Sequence, residues 1–313
     1  MKRNNNKYIK RVLKSNNYIT ANEITMSQII KTIDNYKYFF LPVMSNKELD
    51  LASIDDEDFD NFETINKNVY ILNEYEYECN DDDYYIFNDF FNRNQTNKKC
   101  VLNIILSYEY LLKTLLVLER NKIVHLELCP ENIVFVNDKK TLIRNFERSF
   151  VSDKPHHNLF NEYNPAKIYL PLEVQLICYM NKLKLVSLSY ENICFLIEDF
   201  NKYLSLSPIN NILIGNLNKE EQYLSLKHLI NKPNDYIMDS LLGTSIYWNN
   251  YSLSIMYLIM LSMLNISRDN KFVKNFSHIL LLGMKRERID SIIELFNSMI
   301  LSIDEKEWNA ILN

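Results

Sequence analysis

The residues best suited to chemistry in this chain are concentrated in one short segment, residues 125–132. It reads His-Leu-Glu-Leu-Cys-Pro-Glu-Asn, and so brings an imidazole, two carboxylates, a thiol and an amide within eight residues. Short β-branched runs, 123–124 and 133–136, flank the segment on both sides. A loop held by strands at both ends fixes its side chains in a cleft, and catalysis depends on such positioning.

Predicted elements on either side of this segment hold it in position. Leucine and isoleucine recur at helical spacing over residues 101–120, which predicts a helix that leads into the segment. After it, the run 133–136 and the pair 142–143 enclose a polar turn at 137–140, which predicts a β-hairpin. The segment therefore lies between a long helix and a hairpin.

The first ~100 residues and the remainder of the chain differ in pattern. Short β-like runs at 8–13, 38–43 and 69–77 surround one helical stretch, 22–34, in the first part. From Leu172 onward the pattern is mainly helical. Together these patterns predict an α+β fold, with a strand-rich beginning and a helical C-terminal region.

The longest nearly apolar run is 253–264, which is about half the ~20 residues that a transmembrane helix requires. It predicts a buried helix, and no membrane partner is expected. The composition is that of a globular protein, with 313 residues, 47% hydrophobic content and a net charge of -5. Acidic patches at 55–58 and 81–83 argue against nucleic acid as a partner.

The cysteine pattern and the N-terminus both favour an intracellular location. The five cysteines form no Cys-x-x-Cys pair, which argues against a disulfide framework or a zinc site. The adjacent pair His156-His157 has no cysteine or carboxylate at ligand spacing to suggest zinc. The first residues, Met-Lys-Arg-Asn-Asn-Asn, lack the apolar core of a signal peptide. A reducing compartment is the expected location.

Residues 125–132 resemble the catalytic loop of protein kinases, His-Arg-Asp-Leu-x-x-x-Asn. Asn145-Phe146-Glu147 follows at the spacing where that family has Asp-Phe-Gly. Upstream, Tyr8-Ile9-Lys10 is similar to the Ala-Ile-Lys of the family's third strand, with Glu23 in the following predicted helix. These motifs occur in the family's order, which a chance match of eight residues would not produce.

The resemblance extends through the C-terminal region. Residues 169–173, Tyr-Leu-Pro-Leu-Glu, are similar to the Ala-Pro-Glu that closes the kinase activation segment, and Arg288 is the expected partner of Glu173. Residues 248–254 resemble the start of the central helix of the large lobe, with Asn249 where the family usually has Asp. Details such as Pro-Leu-Glu-Val at 171–174 resemble kinase-like proteins of large DNA viruses.

The resemblance implies a bilobal fold, with a truncated strand-rich N-lobe over residues 1–80 and a helical C-lobe over 81–313. It implies that Lys10 contacts the phosphates of ATP, with Glu23 as the acidic partner of that lysine. It further implies that Glu127 occupies the position of the catalytic base. Asn132 and Asn145 correspond to the magnesium ligands, as a degenerate metal site.

The departures from the family pattern concern the chemical positions. Asn145 replaces the aspartate that anchors magnesium, and Cys129 replaces the lysine that neutralises the transferred phosphate. Loss of two such electrostatic contacts would slow transfer by ~10⁴–10⁶-fold. No glycine precedes Gly215, so the Gly-rich phosphate loop is missing, and Lys10 lies too near Met1 for two preceding strands. Either the domain is truncated, or an upstream piece was lost.

These observations predict a pseudokinase, a kinase-like domain that acts as a binding or regulatory scaffold for a protein partner. In this reading ATP is a candidate ligand, magnesium is held weakly at most, and the location is intracellular, in a host cell if the source is viral. The alternative is an atypical Ser/Thr protein kinase that uses Glu127 as base, Asn132 and Glu147 for magnesium, and Lys10 with Glu23 for ATP. A third reading, a helical interaction protein with a fortuitous motif, also stays open.

Overall fold

A computed structural model describes residues 8–49, 70–77, 84–92, 97–136, 140–155, 157–209, 219–264, 267, 270–304, 306 and 308. The chain divides into two compact units. The first consists of Met1–Phe90 with Glu131–Ser149, and the second of Phe91–Pro130 with Phe150–Asn313.

The first unit contains an antiparallel three-stranded sheet and one long helix. Its strands are β1 (Tyr8–Ser15), β3 (Ser45–Leu49) and β4 (Tyr70–Tyr77), in the spatial order β1-β4-β3. Helix α1 (Tyr18–Lys31) follows β1 directly. The register pairs Lys10 with Tyr75 and Lys14 with Ile71, which fixes the position of each lysine relative to β4.

A second, four-stranded sheet belongs to the same unit. It is formed by β2 (Phe40–Leu41), β5 (Tyr84–Ile86), β7 (Ile133–Val136) and β8 (Lys140–Arg144), in the order β2-β8-β7-β5. Strands β7 and β8 pair antiparallel, as expected for the predicted hairpin, although residues 137–139 of its turn lie outside the described residues. The unit's core is a cluster of buried side chains: Leu41, Val43, Tyr75, Val134, Val136 and Leu142, with Val12 packed against them.

Helix α1 begins at Tyr18, four residues before the predicted start at Asn22. The reason is the N-cap, because the Asn17 side chain accepts a hydrogen bond from the backbone N–H of Thr20 at 3.0 Å. Asparagine is among the preferred N-cap residues, since its short side chain satisfies an amide that the helix itself leaves unpaired. The prediction missed this cap because it followed the apolar periodicity alone.

The second unit is mainly helical. In its described part, α3 (Asn97–Arg120) precedes the short strand β6 (Ile123–His125). Two short elements include the points of the sequence at which the units change, namely α2 (Phe87–Asn92) and β9 (Ser149–Val151). The later helices are α4 (Leu172–Leu183), α5 (Tyr190–Leu206), α6 (Lys219–Leu226), α7 (Asn234–Leu242), α8 (Trp248–Met263), α9 (Lys271–Met284) and α10 (Ile289–Ser302).

Helix α8 forms the centre of this unit. Nearly all of its residues are buried, which confirms the predicted buried helix at 253–264, and it is apolar on almost every face. Beside it, Tyr108 of α3 packs edge-on against three rings, those of Tyr257, Phe276 and Phe296, at centroid distances of 4.8, 4.9 and 5.0 Å. This aromatic cluster joins α3, α8, α9 and α10.

One described helix, Lys99–Arg120 within α3, is long and apolar enough to cross a membrane. More than half of its most apolar stretch is buried inside the protein. Core helices of globular proteins meet the same criteria of length and composition. The expectation of no membrane partner stays a prediction.

The predicted α+β class is confirmed, with small sheets early in the chain and a helical C-terminal region. The chain does not divide at residue 80 alone, because the hairpin β7–β8 belongs to the first unit. The hairpin belongs to the first unit because β8 pairs with β2 and β7 pairs with β5.

Candidate functional site

The first unit contains a cavity of about 300 Å³ that gathers several of the predicted site residues. We refer to it as the β1 cavity, and it is lined by Lys10, Val12, Lys14, Tyr75, Asn132, Arg144 and Asn145. Three lining residues are alternate residues of β1, namely Lys10, Val12 and Lys14. They face the same side because successive side chains of a strand point in opposite directions.

The most connected group in this cavity is the amine of Lys14. Its Nζ lies 2.6 Å from Glu147 Oε2, 2.8 Å from Glu23 Oε2 and 3.2 Å from Asn145 Oδ1. An ammonium group has three donors, so these three oxygens can engage all of them. Burial lowers the pKa of Lys14, but the Glu23 and Glu147 carboxylates outweigh that effect and hold its pKa above the usual value of 10.5.

Glu23 is almost completely buried, with 1% of its surface exposed. Besides Lys14, its carboxylate accepts hydrogen bonds from the Tyr75 hydroxyl at 2.8 Å and from Asn73 Nδ2 at 3.1 Å. A buried carboxylate is costly unless it is paired and hydrogen-bonded, and these contacts meet that requirement.

Glu23 forms its ion pair with the amine of Lys14, whereas the sequence predicted a pair with Lys10. Both lysines lie on the same face of β1, so the alternation of side chains along the strand could not show which of them pairs with Glu23. The early start of α1 at Tyr18 shortens the connection from β1 and brings Glu23 to the end of the strand, where Lys14 lies. Lys10 lines the β1 cavity, and its proposed contact with phosphates stays a prediction.

The segment that carries Asn145 is tied to α1 by side-chain bonds. Asn22 donates from Nδ2 to the carbonyl oxygens of Glu147 at 2.8 Å and Ser149 at 2.9 Å. Asn145 has φ 62° and ψ 68°, in the left-handed region that asparagine tolerates better than most residues. Arg144 donates from Nε and Nη2 to the carbonyl oxygen of Glu131, at 3.1 and 2.9 Å.

The donor set of the β1 cavity does not fit a tightly bound magnesium ion. The predicted metal ligands, Asn132 and Asn145, both line the cavity, but each offers a neutral amide oxygen, and none of the described lining residues is a carboxylate. Magnesium in proteins is usually held by one or two carboxylates. The nearby carboxylates of Glu23 and Glu147 are both ion-paired with Lys14. Within the described residues, no group of three or more His, Cys, Asp or Glu forms a metal site.

The second unit contains Glu127, the predicted base. Its carboxylate is 19% exposed and lies 3.3 Å from Lys167 Nζ, which also lies 3.2 Å from Glu162. The sequence did not identify Lys167, because no local pattern marks it as a partner of a residue forty positions earlier. Lys167 therefore provides a cation beside the Glu127 carboxylate.

The backbone of the same loop is held by Asn249 near the start of α8. Asn249 Oδ1 accepts from the backbone N–H of His125 at 2.8 Å, and its Nδ2 donates to the carbonyl oxygen of Ile123 at 3.0 Å. His125 is buried, as expected for a structural histidine. The amide of Asn249 thus joins the central helix to the strand β6.

Glu173 forms an ion pair with Arg286, so the predicted partner, Arg288, was wrong. Arg286 donates from Nε to Glu173 Oε1 at 2.9 Å and also from Nη2, whereas Arg288 forms an ion pair with Asp290 at 3.6 Å. Arg286 has φ 65°, a left-handed conformation just after α9 that sequence spacing does not predict. The pair borders a largely apolar cavity of about 320 Å³, which also contains Trp248 and Tyr251.

Some predictions concern residues outside the described part of the chain. They are the acidic patches 55–58 and 81–83, His156 and the residues 137–139. A comparison with models of known protein families found no match. A search of curated proteins also found no relative.

Proposed function

We propose that this chain is a protein-kinase-like domain with impaired catalytic machinery, which acts as a binding or regulatory scaffold for another protein. The order of the motifs along the sequence supports the kinase-like part of this proposal. The ion pair between Lys14 of the strand β1 and Glu23 of the following helix α1 also supports it. Active kinases require such a lysine–glutamate pair between a strand and a helix.

The arrangement around Lys14 is the observation that carries the proposal. Three oxygens, from Glu23, Glu147 and Asn145, converge on an ammonium group. In an active kinase the helix glutamate pairs with the lysine, and the aspartate at the position that corresponds to Asn145 holds a magnesium ion that neutralises the charge developed in transfer. Here Lys14 also engages the oxygens of Asn145 and Glu147, which stabilises the fold but cannot replace a metal between two phosphate groups. Transfer is therefore expected to be very slow.

A phosphotransfer assay tests this proposal. The purified chain is incubated with labelled ATP and Mg²⁺ or Mn²⁺, alone and with basic and acidic model protein substrates, beside a Glu127→Gln variant. We expect both proteins to give the same background signal. Transfer by the wild type that Glu127→Gln abolishes would contradict the proposal and identify an enzyme.

The scaffold part of the proposal needs a separate measurement. Proteins that copurify with the wild-type chain are quantified and compared with those retained by the Glu127→Gln, Asn132→Ala double variant. A scaffold should retain the same partners at the same yield in both cases. A partner lost only in the double variant would behave as a substrate held by the loop.

One observation favours a second candidate, an atypical Ser/Thr kinase. Glu127 is largely buried beside a cation, Lys167, and the loop backbone is held by Asn249. A positioned carboxylate beside a positive charge is the kind of arrangement that the reaction of a hydroxyl with a phosphate requires, and this supports the second candidate. In this candidate, Lys167→Met would lower transfer as strongly as Glu127→Gln, whereas a variant of an exposed lysine, Lys232→Met, would not.

A further inference from the structure

We propose that a cavity of the second unit binds a small apolar molecule that carries one carboxylate group. This cavity, which we refer to as the Trp248 cavity, has a volume of about 320 Å³ and borders the ion pair of Glu173 and Arg286. Its described lining residues include none from the segment 125–132 and none from the β1 cavity. The inference therefore goes beyond the proposed function and does not depend on it.

The floor of the Trp248 cavity is apolar and largely aromatic. Four of its described lining residues are large side chains with exposures of 9% or less, namely Leu172, Phe200, Trp248 and Tyr251. Sites for small molecules are concave and mostly apolar, with volumes of roughly 300–1,000 Å³, and this cavity lies at the lower end of that range. The floor therefore suits a small apolar body.

The mouth of the cavity is polar. Glu221, Ser225, Lys285 and Arg286 line it and are all exposed. Lys285 Nζ lies 3.2 Å from Glu221 Oε2, so that these two charges offset each other. A few polar groups beside an apolar surface fix the orientation of a bound molecule. This arrangement favours a ligand with an apolar body on the floor and one polar group at the mouth.

Arg286 provides donors for that polar group. It donates from Nε and Nη2 to a single oxygen, Glu173 Oε1, and these are its only hydrogen bonds within the described residues. A guanidinium group has five N–H donors in one plane, so donors remain for a second acceptor. A carboxylate is the acceptor that such a group binds best, because two parallel hydrogen bonds can form.

The start of α8 also favours an acceptor over an amine. Tyr247, the N-cap residue of α8, and Trp248, its first residue, both line the cavity. The cap makes no side-chain hydrogen bond, and the first turn has no acidic residue to offset the positive end of the helix dipole. Trp248 Nε1 is buried without a hydrogen-bond partner within the described residues, and an indole N–H can only donate.

Titration of the tryptophan fluorescence tests the inference. The chain has two tryptophans, so a Trp308→Phe background leaves Trp248 as the only one. Octanoate, octanol and octylammonium serve as probes, because they share one chain length and differ in the charge of the polar group. We expect octanoate to bind with a Kd of roughly 0.1–1 mM, as for a good ligand of about ten non-hydrogen atoms. Octanol and octylammonium should bind at least about tenfold more weakly.

Variants of the ion pair test the assigned contact. Arg286→Gln should weaken the binding of octanoate about tenfold, because it removes a charged donor, and should leave the binding of octanol unchanged. Arg288→Gln is the matched control, since Arg288 is exposed and pairs with Asp290 instead. Glu173→Gln should strengthen the binding of octanoate by up to about fivefold, because it removes the carboxylate that competes for Arg286. A pair that only stabilised the fold would give no such gain.

A variant at the mouth tests the location of the site. Ser225 is exposed, so Ser225→Phe should keep the fold while its ring narrows the mouth, and we expect it to weaken the binding of octanoate. Melting curves without probe establish that each variant is folded. If Arg286→Gln does not fold, Glu173→Gln and Ser225→Phe decide the question.

Three results would overturn the inference. They are binding of octanol or octylammonium as tight as that of octanoate, an octanoate affinity that neither Arg286→Gln nor Ser225→Phe lowers, and no binding of any probe. The proposed function is judged separately by the phosphotransfer assay, which does not involve this cavity. A chain that binds no octanoate would therefore leave the scaffold proposal intact.

Discussion

Asn249 holds the backbone of His125 through an amide that both accepts and donates. Its Oδ1 accepts from the His125 N–H, and its Nδ2 donates to the carbonyl oxygen of Ile123, two residues earlier. Asn249 and His125 are both buried, at 2% exposure each. An aspartate in place of Asn249 could accept the first bond but could not donate the second.

Replacement of Asn249 by alanine should therefore be strongly destabilising. It would leave one donor and one acceptor of the backbone buried without partners, and we expect a loss of about 2–4 kcal/mol in the free energy of unfolding. Urea denaturation followed by circular dichroism measures this loss of stability. Asn158→Ala, at an exposed position of the same unit, should change stability by less than about 0.5 kcal/mol. A similar small loss for Asn249→Ala would show that water replaces the amide.

Lys14→Met should cost far more stability than Lys10→Met on the same face of β1. It leaves the buried Glu23 carboxylate without its cation, and broken buried pairs cost about 3–5 kcal/mol. The same urea denaturation compares the two variants. Lys10→Met should cost less than about 1 kcal/mol. Equal losses in the two variants would indicate that Lys10 also has a structural role.

The raised pKa of Lys14 adds a pH dependence to this prediction. A base whose folded pKa lies above its unfolded value stabilises fully below the unfolded value, here 10.5. The contribution of Lys14 is then lost as the pH rises through its folded pKa. The difference in stability between wild type and Lys14→Met should therefore be constant near neutrality and shrink above pH 10.5.

Tyr108→Phe should both stabilise the protein and reduce its sensitivity to alkali. Its hydroxyl is buried without a hydrogen-bond partner in the described structure, so its removal should gain about 1 kcal/mol at pH 7. Burial also raises the pKa of Tyr108 above its usual value of 10.0. Above pH 10 the unfolded chain loses this proton first, so the stability of the wild type falls as the pH rises.

Denaturation between pH 8 and 11 measures this effect. One phenol that ionises only in the unfolded state contributes a slope that approaches about 1.4 kcal/mol per pH unit above pH 10, and Tyr108→Phe should remove that amount. Part of the slope should remain, because burial also raises the pKa values of other phenols, among them Tyr251 and Tyr257. Tyr236→Phe, at an exposed position, should change neither the stability at pH 7 nor the slope with pH. An unchanged slope in Tyr108→Phe would mean that its hydroxyl reaches solvent.

Gly283→Ala should be destabilising because α9 approaches α8 closely at this residue. An added Cβ would overlap Ser254 Oγ and lie 3.2 Å from Asn250 Oδ1. Overpacking of this kind typically costs about 1–3 kcal/mol, to be read from urea denaturation. Gly243→Ala is the control and should cost less, since its added Cβ would lie 3.3 and 3.5 Å from two backbone oxygens and would overlap neither.

A double-mutant cycle identifies the cause. Ser254→Ala alone should be neutral or slightly stabilising, because Ser254 Oγ is buried without a partner within the described residues. Combined with Gly283→Ala, it should recover at least about 1 kcal/mol, since it removes the overlapping atom. Strictly additive effects would show that the backbone of α9, and not Ser254, resists the change.

Local patterns were sufficient for some parts of the fold. The run 253–264 predicted a buried helix because its apolar residues leave hardly any polar face, and α8 confirms it. The runs 133–136 and 142–143 enclose a polar turn, and this local pattern predicted the hairpin that β7 and β8 form. Periodicity reports which faces of an element are apolar, and that property depends only on neighbouring residues.

The partners of charged residues could not be predicted in this way. Lys10 and Lys14 share one face of a strand, and Arg286 and Arg288 lie two residues apart, so the residue pattern leaves two candidates for each pair. In the tertiary structure, Glu23 pairs with Lys14 and Glu173 pairs with Arg286. Strand register, the start of α1 and a left-handed turn after α9 fix where each side chain lies. These positions decide the pairs because ion pairs form only within about 4 Å.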